Sequence, residues 1–212
     1  MGIISKGILG PVSGTVGTVI GGSWKGIAYI RSQSTSRRTE FTLPQLEQQR
    51  KFATTIAFLQ PMVAFLSFTF REFAVKKSGF NSAFSYTLKH AIAGSYPDYE
   101  IDYSLALVSR GDLPNATTPA AAAPTTTSIH YTWTDNSGVG KAAPTDQSLL
   151  VVYCPSRNQC LFSTSGGERS AGAATIDVTP FQGQTVQTYI GFVSENGKDI
   201  ANSMYTGEFT LD

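Results

Sequence analysis

This 212-residue chain holds only two cysteines and two histidines, and only 15% of its positions are charged. Two cysteines make no disulfide framework. Cys154 and Cys160 flank a hairpin. With a four-residue loop Cys154 opposes Gln159 and Cys160 faces the other way, whereas a five-residue loop lets them pair. In a reducing compartment two free thiols are expected. His90 has no Cys, Asp or Glu three or four residues on. Neither it nor His130 stands beside a nucleophile or acid in a known motif, so metal pairs and triads are excluded. Gly138-Val139-Gly140-Lys141 imitates the end of a phosphate loop, but Asp135 replaces its first glycine and Ala142 its metal-binding hydroxyl. Asp98, Glu100 and Asp102 alternate along one extended stretch. They read as a solvated acidic edge, with weak calcium binding as the alternative. No catalytic residue, no metal and no cofactor is expected, and the protein is read as a non-enzyme.

Long apolar runs are missing from the front of the chain as well. The uncharged stretch between Lys6 and Lys25 falls short of the ~20 residues that span a bilayer. Its glycines and Pro11 break any secretory core. Lys6 stands where a myristoylation signal needs Ser or Thr. An intracellular location, or the inside of an assembled particle, is expected, with a membrane partner unlikely on this reading.

Glycine is what this front has in plenty. Residues 7, 10, 14, 17 and 21 are glycine, then 22 and 26. A helix with this spacing would carry a small-residue seam, but Pro11 and the β-branched Val12, Val16, Val19 and Ile20 oppose it. Extended chain is preferred. Val16 to Ile20 forms one strand, Gly21-Gly22-Ser23 turns, and Trp24 to Arg31 returns, with Trp24, Gly26, Ala28 and Ile30 on one face and Lys25, Ile27, Tyr29 and Arg31 on the other. Such a segment loses much backbone entropy on ordering and has few side chains to bury. A second molecule is therefore expected to supply its contacts through Gly10, Gly14, Gly17, Gly21, Trp24, Gly26 and Tyr29.

Charge divides the chain. Residues 1–80 hold ten Lys/Arg against three acids, a net of +7, and residues 81–212 hold six against twelve, a net of −6. Contact with nucleic acid at the basic end and front-to-back stacking of identical chains both fit, as do two ordinary solvated faces.

After a polar connector, Thr42, Pro44 and Gln45 signal a helix start. Leu46, Ala53, Ile56, Leu59, Val63, Leu66, Phe70 and Phe73 continue at helical spacing. Pro61 predicts a break near Leu59-Gln60, and Ser78-Gly79 the end. Asn81 is read as the cap of a second helix that Gly94 closes, and 101–109 as a strand. Residues 112–128, DLPNATTPAAAAPTTTS, read as a linker. Beyond it short strands recur at 129–134, 148–154, 159–164, 174–178, 185–193 and 203–211, with Trp133 in a core position. The fold expected is thus α+β: a glycine-rich β arm and hairpin (1–31), a two-helix middle (32–111), the linker, and a C-terminal all-β immunoglobulin/fibronectin III-like sandwich (129–212).

The runs GPVSGTVGTVIGGSWKGIAYIRS, LPQLEQQRKF, GFNSAFSYTLKHAI, SRGDLP, TWTDNSG and LLVVYCPSRNQ resemble an uncharacterised protein family of Bacteroidota, one of the numbered families of unknown function. That resemblance covers nearly the whole chain and implies no activity. Arg31, Leu43-Pro44, Gln45 or Gln48, Arg50 and Phe52 are more loosely similar to small phage-encoded proteins, although the prolines of their gap are mostly missing. The role expected is a structural subunit that assembles with copies of itself through the arm, as a filament, particle or virion-like component. Its rival is nucleic-acid binding, with Lys25, Arg31, Arg37, Arg38, Arg50 and Lys51 on phosphates and Trp24 or Tyr29 stacking on bases. A sugar- or surface-binding sandwich is the third reading.

Overall fold

Four short strands build the first of two units, Met1–Leu43 and Pro44–Asp212, in the computed structural model, which describes residues 2–4, 7, 10–34 and 40–212. They are β1 (Ile3–Ile4), β2 (Val12–Val16), β3 (Val19–Trp24) and β4 (Ile27–Ser32), antiparallel in that order. The arm is extended, but its turns lie elsewhere than expected. Gly17-Thr18 joins β2 to β3, and Lys25-Gly26 joins β3 to β4. Lys25 (φ 47°) and Gly26 (φ 80°) both have positive φ, the backbone of a type I′ hairpin. Gly21-Gly22-Ser23, expected to turn, lies inside β3 because Tyr29 and Ile30 pair across it. This shift places Trp24 on the face of Ile27, Tyr29 and Arg31.

The second unit begins with a helical run that Pro61 divides: α1 (Leu43–Leu59), one 3₁₀ turn at Gln60–Met62, and α2 (Val63–Thr69). Proline removes a backbone donor and crowds the preceding turn, so the break at Leu59-Gln60 falls where the sequence puts it. By length and composition Leu43–Thr69 could cross a membrane. Its inward side, Phe58, Leu59, Met62, Phe65 and Leu66, is instead buried in a core shared with β-strand residues. A 3₁₀ turn at Arg71–Phe73 ends the run. In α3 (Gly79–His90) the cap is Ser78, not Asn81; the Asn81 amide donates to Ser78 Oγ at 3.1 Å. Gly94 does not close this helix, and lies in the hairpin of β5 (Ile92–Ser95) and β6 (Asp98–Ile101).

Two further antiparallel sheets complete the unit. One contains β7 (Thr117–Thr125), β8 (Ser128–Thr134) and β11 (Ala173–Asp177) in the order β11-β8-β7. The other contains β9 (Gln147–Cys154), β10 (Gln159–Ser163), β12 (Thr185–Val193) and β13 (Met204–Thr210) in the order β10-β9-β12-β13. The alternation of β9 explains the layering. Leu150, Val152 and Cys154 share a core with Ile129, Tyr131 and Trp133 of β8. Leu149, Val151 and Tyr153 share another with Phe58, Leu59 and Phe65 of the helices. A strand covered on both faces reads as a continuous apolar run, as SLLVVYC does.

Two further expectations fail in this unit. Residues 117–125, assigned to the linker, form β7, with Pro119, Ala121 and Ala123 turned inward and Ala120, Ala122 and Pro124 outward. The helices and sheets therefore belong to one unit, without a tether between them. Residues 102–109 are not a strand; the Val108 amide donates to Ser203 Oγ (2.8 Å) in place of a ladder partner. The hairpin register pairs Gln159 with Cys154, and both thiols are free.

Candidate functional site

In the arm the glycines have separate jobs. Gly14 and Gly21 are cross-strand partners. A Cβ on Gly21 would lie 2.1 Å from the Val12 carbonyl oxygen, so no other residue fits there. Gly22 pairs with Tyr29, and a Cβ on it would meet the tyrosine ring at 3.0–3.1 Å. The ring thus covers the space that a side chain would fill. Gly17 and Gly26 serve the two turns, and the Gly10 amide donates to the Gly7 carbonyl at 2.8 Å.

These close approaches leave no interior to bury. Among the described residues of this unit only Gly21 is buried. Trp24 is 58% exposed, Ile27 62%, Tyr29 47% and Ile30 63%. Register sorts the strands into two faces. One carries Ile20, Gly22, Trp24, Ile27, Tyr29 and Arg31, and the other Val16, Val19, Gly21, Ala28 and Ile30. The outer edge of the sheet is β4, exposed along its whole length. Exposed apolar edges of this kind are templates for further pairing.

The basic residues are distributed over both units. Lys25 is in the β3–β4 turn and Arg31 on β4, while Arg50 and Lys51 are on α1, with the Lys51 ammonium 4.9 Å from the centre of the Tyr99 ring. Arg37 and Arg38 lie outside the described residues. Among the described residues no cluster of three or more His, Cys, Asp or Glu could hold a metal. His130 bonds Thr175 Oγ1 at 3.0 Å, and the His90 ring packs on Tyr86. Lys141 of the phosphate-loop look-alike pairs with Asp199 at 2.7 Å. Asp98 and Glu100 are exposed on β6, and Asp102 follows the strand, its carboxyl held below the usual range by Ser104, which donates to it from side chain and backbone.

Two polar features of the second unit carry no sequence signal. Arg169 is fully buried: its Nε donates to Asp146 Oδ2 (3.1 Å), Nη1 to Asn136 Oδ1 (2.6 Å) and Nη2 to the Pro114 carbonyl (2.8 Å). Its guanidinium lies 4.3 Å from the centre of the Phe192 ring, and its carbonyl accepts from Trp133 Nε1 at 2.8 Å. One arginine, side chain and carbonyl together, thus ties three loops to two strands, a structural task. The second feature is a tyrosine cluster. Tyr103 packs against Phe58 and Tyr153, and the Tyr189 hydroxyl donates to the Tyr103 carbonyl at 2.8 Å. Burial, then the nearby Glu100 and Glu208 carboxylates, raise the Tyr103 hydroxyl above its ordinary pKa. Burial likewise pushes the Cys160 thiol up to about 12, so it is not a nucleophile at neutral pH.

The fold therefore defines an α+β protein in which a coreless glycine sheet accompanies a well-packed helix-and-sheet unit. The chain belongs to a family of unknown function, DUF6266, whose model matches residues 11–207. No curated protein and no solved structure matches it.

Proposed function

We propose that this protein is a non-enzymatic structural subunit, sited inside the cell or within a particle, that assembles with copies of itself through its N-terminal sheet. The observation that carries the reading is the exposure of every residue from Ser23 to Ser32, apolar side chains included, on a sheet without a core. Exposed apolar patches mark interaction sites, and the exposed Trp24, Ile27 and Tyr29 lie together on one face of this sheet. Removing residues 1–43 tests it. Light scattering is expected to find an oligomer of the 22.7 kDa full chain and a folded monomer for the remainder. An unchanged oligomer after the deletion would refute the reading.

The finer fold is part of the same proposal. Lettered in chain order, β7 to β13 become A, B, C, C′, E, F and G, giving sheets A-B-E and C′-C-F-G. Immunoglobulin constant domains divide their strands as ABED and CFG, so moving the fourth strand to the other sheet gives this arrangement. We read it as an immunoglobulin/fibronectin III-like sandwich, one of whose outer faces is covered by the helices. A sugar- or surface-binding role would rest on that fold alone.

A second reading has its own support. Trp24, Tyr29 and Arg31 share a face, the combination on which bases stack while a guanidinium meets phosphate. A gel-shift titration against single-stranded nucleic acid decides it: binding that falls steeply with salt favours this reading, and no binding at low salt removes it.

A further inference from the structure

We propose that the exposed sheet of one copy docks into an acidic, aromatic groove around Tyr103 and Pro155 of the next copy, so that assembly is head to tail. The inference rests on the self-assembly reading above and names the surface that receives the arm. Two adjoining clefts of about 440 and 450 Å³ share Tyr103 and Pro155. Tyr153 and Phe58 wall the first, which carries Glu100; Gln184 and Gln187 line the second, which carries Glu208. Each cleft thus has one carboxylate, and no Lys or Arg lines either among the described residues.

The arm has the complementary chemistry. Its aromatic face presents Trp24 and Tyr29 beside Arg31, with Lys25 in the adjoining turn. A guanidinium meets a carboxylate in paired hydrogen bonds, and both it and an indole pack well on tyrosine faces. Charge complementarity selects this occupant: a basic segment for a groove whose walls are acidic, within a chain whose first 80 residues are net positive and whose remainder is net negative. Arm and groove are different surfaces, so the contact is heterologous and repeats into a ring or an open filament.

A mixing experiment tests this directly. One chain keeps its groove and lacks the arm (residues 44–212, which contain both buried cores). The other is full length with Glu100→Lys and Glu208→Lys, which keeps the arm and spoils the groove. Each alone is expected to be a monomer by light scattering, with a thermal melt confirming that it is folded. Mixed at low salt, they are expected to give a one-to-one complex of about twice the mass, since the arm of one still finds the intact groove of the other. Introducing Arg31→Ala into the full-length partner, which removes the guanidinium without creating an acid for the reversed groove, should weaken that complex. A groove-reversed chain that still forms the full-size oligomer would overturn the inference, as would a mixture that fails to associate. Either result leaves the assembly reading standing if deletion of the arm alone dissociates the protein; an oligomer indifferent to that deletion defeats both.

Discussion

Strands β4 and β9 each sit in an antiparallel ladder, yet β9 is buried on both faces from Ser148 to Cys154 while β4 is exposed from Ile27 to Ser32. A side chain such as Leu150 or Val152 contributes about 1.5–3 kcal/mol when fully buried, and β9 has such residues on both faces. In the arm, glycines reduce what can be buried and each adds about 0.5–1 kcal/mol of conformational cost. Backbone hydrogen bonds add only about 1 kcal/mol net apiece, so the ladder alone leaves the arm marginal. Stability therefore resides mainly in the second unit, which holds both buried cores.

Breaking the second unit from within gives the largest effect. Arg169→Ala leaves the Asp146 carboxylate, the Asn136 amide oxygen and the Pro114 carbonyl without the guanidinium that now donates to them. Truncating one partner of a buried ion pair costs about 3–5 kcal/mol, read as a lower midpoint in urea unfolding. Combining Arg169→Met with Asp146→Leu is expected to recover most of that loss, because the uncompensated charge goes too. A cost below about 1 kcal/mol for Arg169→Ala would mean that water reaches the pair and the unit is looser than its burial implies. Next in size is Ser78→Ala, which removes the oxygen that accepts the Asn81 amide and should lower stability by about 1 kcal/mol in the same assay.

How much of this the sequence discloses follows the same division. The strands from β8 to β13 are legible because turn clusters such as Asp135-Asn136-Ser137-Gly138 bound runs of β-branched and aromatic residues. Pro61 announces the helix break for an equally local reason. β7 is not legible: in TTPAAAAPT the inward Ala121 and Ala123 are chemically the same as the outward Ala120 and Ala122, so no alternation can be seen. Its two prolines suit an edge strand but read as linker. The arm's turns are not legible because Gly21-Gly22 can turn as easily as Lys25-Gly26, and only the pairing of Tyr29 over Gly22 decides between them. Nothing in the residues around Arg169 marks it as buried, since its partners are 23, 33 and 55 positions away. Tyr103 and Glu208 form one groove for the same reason, through contacts far apart in the chain.

The smallest effect on the second unit should come from the most drastic change to the first. With Gly21→Val the new Cβ would stand 2.1 Å from the Val12 oxygen and 2.5 Å from its carbonyl carbon. Those are backbone atoms that cannot turn aside, so β2 and β3 must separate. Because residues 44–212 form their own unit, the urea midpoint of that unit should move by less than about 0.5 kcal/mol, the range of changes remote from a core. The mass in solution should nevertheless fall as far as it does when the arm is deleted. Gly17→Ala, in a turn where nothing lies within 4 Å of the new methyl group, meets only the strain of its positive φ and should weaken assembly much less. If Gly21→Val instead destabilised residues 44–212 as strongly as Arg169→Ala does, the sheet would be supporting that unit and its exposed face would need no second copy to explain it. Loss of mass with an unmoved midpoint separates the two cases, because only an intermolecular contact can vanish without cost to the fold of the protomer.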